Sequence, residues 1–96
     1  MNEQLGASGE AQSLSKGSFV AESVAQQLEA MLSAGNYDGV KSLLNPVQPV
    51  DIAQAIGTLP TILQALAFRL LNKNEAIEVY EYLDPSVQQN LLDRLR

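Results

Sequence analysis

Residues Pro60 to Leu71 read PTILQALAFRLL, and this stretch decides the fold. On a helix, only Thr61, Gln64 and Arg69 interrupt its apolar surface. Ile62, Leu63, Leu66, Ala67 and Leu70 form one broad stripe, while Phe68 and Leu71 point to other sides. A helix apolar on more than one side is buried on more than one side. Spanning a membrane needs about 20 apolar residues, and this run is shorter. The stretch is therefore expected to be the central helix of a small all-helical domain, with neighbours on at least two faces.

Downstream, Asn72-Lys73-Asn74-Glu75 resembles a capping box with Asn in the Ser/Thr place. The helix it opens turns Ala76, Val79, Tyr80 and Leu83 inward, and Glu75, Glu78, Glu81 and Tyr82 outward. Asp84-Pro85 supplies a cap and first residue for a last helix, with a stripe of Val87, Leu91, Leu92 and Leu95. Upstream, Pro49 suits a first helical position, and Asp51 complements the positive end of the dipole. Ile52, Ala55, Ile56 and Leu59 share the inner face of that helix. Before it, Asn36 caps a short helix with Val40, Leu43 and Leu44 inward, broken at Asn45-Pro46. The first helix is expected to run from a Ser18 cap to Gly35, with Val20, Val24, Leu28, Met31 and Leu32 at helical period. Residues 1–17 hold little large apolar surface and are expected to form a mobile tail, leaving 18–96 as a single helical domain.

Composition agrees with helices. The chain is 46% hydrophobic but has no Trp and 5% aromatics, so Leu, Ile, Val and Ala must build the core. Strand-like alternation of β-branched residues is missing. A net charge of −5, with no basic cluster longer than Arg94-Leu95-Arg96, argues against nucleic acid and against a basic membrane-surface helix. Cys and His are absent, which removes disulfides, thiolate metal sites and any His or Cys as catalytic base or nucleophile. No Gly-rich phosphate loop is present. The chain is not expected to be an enzyme. Its opening, MNEQLGASGE, lacks the basic start and apolar core of a secretory signal, so a cytosolic location is expected.

An internal repeat emerges. Pro49 and Pro85 are 36 residues apart. At that offset Ala55, Ile56 and Leu59 fall on Leu91, Leu92 and Leu95, and Val40, Leu43 and Leu44 fall on Ala76, Val79 and Tyr80. Two copies of a three-helix unit result, slightly shorter than a HEAT or armadillo repeat of roughly 40–47 residues. The plainer alternative is chance alignment of amphipathic helices. Repeat arrays usually need about three units and end in polar caps. The sequence stops directly after an amphipathic helix, so the array is expected to be cut short on its C-terminal side. Leu91, Leu92 or Leu95 would then be partly bare, and self-association through them is an expectation.

Several anchors carry a family resemblance. They are Val50-Asp51-Ile52-Ala53 after Pro49, Leu59-Pro60, Ala76-Ile77-Glu78-Val79, Leu83-Asp84-Pro85, and Gln88 followed by Leu91-Leu92. Ala34-Gly35-Asn36-Tyr37 and Lys41-Ser42-Leu43-Leu44 add to them. Together, over residues 20–96, they resemble the cytosolic N domain of MgtE-type magnesium transporters. The family domain is longer, and is followed by cystathionine-β-synthase-type domains and a transmembrane pore. The resemblance implies an all-α, right-handed superhelix of five to six short armadillo/HEAT-like helices. It also implies a magnesium sensor on the cytoplasmic side of the membrane. Such a domain docks through Mg²⁺-bridged carboxylates on the cystathionine-β-synthase-type pair of the same chain and closes the pore, in a full-length homodimer. By position, the resemblance makes Glu78 a metal ligand. The alternative function is a helical interaction module with no metal role, similar to a flagellar motor switch protein.

The residues themselves leave the metal question open. Mg²⁺ takes oxygen ligands in an octahedron, keeps several waters, and often uses one or two protein carboxylates. Glu75 or Glu81 could join Glu78 as a ligand. Their spacing of three fans them across a helix face, which equally suits a solvated surface. At most half a site is expected in this chain, with weak binding of Mg²⁺ shared with partner domains. Tyr82, beside Glu78, is a candidate contact for a docking partner, or else a scattered exposed aromatic.

Overall fold

The computed structural model describes residues 16–95. The described chain is all helical, as expected. Its helices are α1 (Lys16–Ala34), α2 (Tyr37–Leu44), α3 (Pro49–Gly57), α4 (Thr61–Arg69), α5 (Lys73–Tyr82) and α6 (Pro85–Leu95). Most of the boundaries follow local chemistry. Gly35 takes φ +76°, the left-handed conformation that a side chain disfavours. There the Gly35 N–H reaches the Leu32 carbonyl and the Asn36 N–H reaches the Met31 carbonyl, a Schellman closure of α1. Asn36 then caps α2, its Oδ1 accepting from the Gly39 N–H at 3.0 Å. Asn72 does the same for α5, accepting from the Glu75 N–H at 2.8 Å. Pro49 and Pro85 each occupy the first position of their helix, where the missing N–H has no partner to lose.

The structure keeps the 36-residue offset. Asn36 and Asn72 are equivalent caps, and Pro49 and Pro85 are equivalent starts. Packing relays along the chain. α1 lies against α2, α3 and α4; α3 also lies against α4 and α5; α4 lies against α6. Contacts between next-but-one helices (α1 with α3, α3 with α5, α4 with α6) are those of stacked helical units. The largest fully buried side chains are Leu28, Val40, Ile52, Ile56, Val79 and Leu91, so one core runs through both repeats.

Several expectations are corrected. The central helix is α3, not the 60–71 stretch: Ile52, Ala53, Ala55 and Ile56 are all buried, with α1, α4 and α5 around them. α4 does pack on three neighbours, but its pattern is inverted at two places. Gln64 is 4% exposed, while Ile62, assigned to the apolar stripe, is 66% exposed. Gln64 is buried because its amide is used. It donates to the Leu59 carbonyl at 3.2 Å, at the end of the α3–α4 turn, where no helical N–H is available. Leu92, placed on the inner stripe of α6, is 52% exposed. α1 has already begun at Lys16, so Ser18 lies within the helix and does not cap it. The rest of the expected tail, residues 1–15, falls outside the described residues.

Candidate functional site

The outward side of α5 carries the sequence-derived candidates. α5 starts at the Asn72 cap and is held down by buried Val79 and, just beyond its end, buried Leu83. With that face pinned against α3, the opposite face is fixed by helical geometry. Glu78 and Glu81 are exposed and Glu75 is partly buried near the cap. Successive steps of three residues turn the three carboxylates progressively around the helix, and among the described residues no three acidic side chains converge as a metal-holding group. Glu78 is four residues before Tyr82, so the two share one stripe.

Tyr82 has neighbours that the sequence reading missed. It is 59% exposed and forms one wall of a groove of about 390 Å³. Val50, Ala53, Gln54, Gly57 and Thr58 of the α3 segment form the opposite wall, and Asp84 and Val87 close the end. Val50 is itself 45% exposed. The groove therefore mixes apolar side chains (Val50, Val87, the Tyr82 ring) with polar ones (Gln54, Thr58) and a carboxylate at Asp84, with Glu78 one turn back along the stripe from Tyr82. The signal in the sequence was that Val50 and Tyr82 both lie off their helices' inner stripes. What it could not show was that α3 and the α5–α6 turn bring them together.

A model of the MgtE intracellular N domain matches residues 47–96. The chain belongs to this family. No curated protein and no solved structure matches the chain. The MgtE N match spans α3 to α6, and so takes in the Asn72 cap, Glu75, Glu78, Glu81, Tyr82 and both walls of the groove. The leading anchors of the resemblance, from Ala34 to Leu44, lie outside the matched span. No helix of the described chain is long and apolar enough to cross a membrane.

Proposed function

We propose that this chain is the magnesium-responsive regulatory domain of a magnesium transporter, lying on the cytoplasmic side of the membrane. Membership of the MgtE intracellular N domain family carries the reading and sets it above an interaction module without a metal role. The docking face is the outward side of α5 with the adjoining groove. Glu78, with Glu75 or Glu81, supplies carboxylate oxygens to hydrated Mg²⁺, and Tyr82 meets the partner surface. The partner is the cystathionine-β-synthase-type pair of the full-length transporter, itself acidic. Two acidic faces repel at low magnesium and are bridged when magnesium rises, holding the pore shut. Hard cations bound through one or two carboxylates keep most of their water, so this face alone holds the ion weakly.

Amide chemical shifts recorded through a magnesium titration test the reading. Small, fast-exchanging shifts confined to residues 74–84 are expected, and Glu78→Gln together with Glu81→Gln should flatten them. Shifts absent from that segment, or a tight one-to-one site in the isolated chain, would sink the assignment. In the full-length transporter, Glu78→Gln should leave ion flux less inhibited by magnesium.

A further inference from the structure

Two of the six basic residues of the chain meet in one cleft. Lys41, in the last turn of α2, and Arg69, in the last turn of α4, line a space of about 320 Å³ at the seam between the repeats. Asn45 and Asn72 line it too, and Glu75 joins them from the first turn of α5. Both cations are exposed, and neither forms an ion pair with a carboxylate among the described residues. Two positive charges against one negative give the cleft the opposite sign to the chain as a whole, which carries −5. The repeat itself does not call for these cations. At the 36-residue offset Lys41 corresponds to Ile77 and Arg69 to Ser33, so a cation at these helix ends is not a requirement of the architecture.

The cleft adjoins the carboxylate face. Glu75, Glu78 and Tyr82 follow one another along one flank of α5 at steps of three and four. Glu75 lines the cleft, Tyr82 lines the groove shared with α3, and Glu78 stands between them. A partner laid along this flank meets the Lys41–Arg69 pair, then the Glu78 carboxylate, then the Tyr82 groove.

We propose that the Lys41–Arg69 cleft takes a carboxylate of the acidic partner surface directly, with no metal between them. The proposal rests on the regulatory reading above and adds a second kind of contact to it. Charge complementarity selects the occupant. Glu78 repels an acidic surface until magnesium bridges the two, whereas this pair attracts the same surface whether or not magnesium is bound. Arg69 offers a planar fork that matches a carboxylate through two parallel N–H bonds, and Lys41 adds a point charge. Contacts between exposed charges are individually weak, so the pair does not hold the two domains together alone. It fixes the register of docking and lowers the magnesium concentration at which docking occurs.

Two measurements test this. In metal-free buffer, hexaglutamate peptide added to the 96-residue chain should shift the amides of residues 41–45 and 69–72, weakly and in fast exchange. Lys41→Gln combined with Arg69→Gln should abolish those shifts. No shifts at all, or equal shifts around Lys73 and Arg94, would overturn the proposal. In the full-length transporter, the same double substitution should raise the magnesium concentration for half-inhibition of flux about three- to tenfold. Lys41→Arg should stay within about twofold of the parent, because it keeps the charge. A lower Tm with unchanged inhibition would mean that the cations serve only the ends of α2 and α4, and would also overturn the proposal. Glu78→Gln separates the two ideas. If it weakens inhibition and the Lys41–Arg69 pair does not, the inference fails and the regulatory reading stands; if neither does, both fail.

Discussion

Asn90 donates its side-chain amide to the side-chain Oε1 of Gln64 at 2.9 Å, joining α6 to α4 across 26 positions of sequence. Gln64 passes the connection on through its own amide, to the Leu59 carbonyl at 3.2 Å and the Gly57 carbonyl at 3.5 Å. Asn90 also donates to the Thr61 carbonyl and accepts from Arg94 Nε. A single buried amide thus ties the end of α3, the middle of α4 and the middle of α6. Gln64→Ala should lower stability by about 1–3 kcal/mol, because it leaves the buried Leu59 carbonyl without its donor. In a domain this small, each kcal/mol moves Tm by roughly 4–8 °C. Asn90→Ala should cost less alone. The pair should be non-additive in a double-mutant cycle by about 0.5 kcal/mol or more, since they share one bond.

The network marks where the sequence stops being legible. Asn36, Gly35, Pro49, Asn72 and Pro85 could be read correctly because each acts on backbone groups within five residues of itself. Those positions placed the helices and the repeat. Gln64 could not be read in that way, as its burial depends on Asn90 and Leu59, and periodicity alone assigns it to solvent. Ile62 and Leu92 show the converse. They fit an apolar stripe by period, yet Ile62 is 66% and Leu92 52% exposed, because period alone does not say how far round a helix its neighbours reach. The candidate face was half visible: the outward acids of α5 follow from its inner stripe, whereas the groove beside Tyr82 needs α3 brought across from 25 or more residues away.

The caps give a second test. Asn72→Ala removes the acceptor for the Glu75 N–H and should cost about 1 kcal/mol, within a range of roughly 0.5–2. Asn36→Ala should cost a similar amount at α2. Hydrogen exchange separates them. Asn72→Ala should lower protection chiefly in the first turn of α5, next to Glu75 and Glu78, and Asn36→Ala chiefly in α2. Equal loss of protection across the whole chain in both variants would argue against local fraying.

Core truncation should divide sharply from surface truncation. Leu28 and Ile56 are both fully buried, so Leu28→Ala and Ile56→Ala should each cost about 2–5 kcal/mol in urea denaturation. Folded domains hold only about 5–15 kcal/mol in total, and small ones lie near the lower end. Either variant should therefore show a substantial unfolded population at ambient temperature. Ile62→Ala, at a residue 66% exposed, should stay within about 0.5 kcal/mol of the parent although it lies on the helix richest in apolar residues.

Two glycines should respond in opposite directions to the same change. Gly35 closes α1 at φ +76°, where an L side chain crowds its own carbonyl. Gly35→Ala should destabilise by about 1–2 kcal/mol, even though an added Cβ would meet no atom within 4 Å. Gly57 is the last residue of α3 and has no such conformation, and a Cβ there also meets nothing within 4 Å. Gly57→Ala removes backbone freedom from the unfolded chain and should stabilise by up to about 1 kcal/mol. Because Gly57 lines the groove opposite Tyr82, this variant also serves the functional question. Its Tm should rise, and its magnesium-dependent shifts at residues 74–84 should match the parent's, since the methyl lies across the groove from the carboxylates. A loss of those shifts in a more stable protein would mean that the α3 wall, and not α5 alone, takes part in holding the ion.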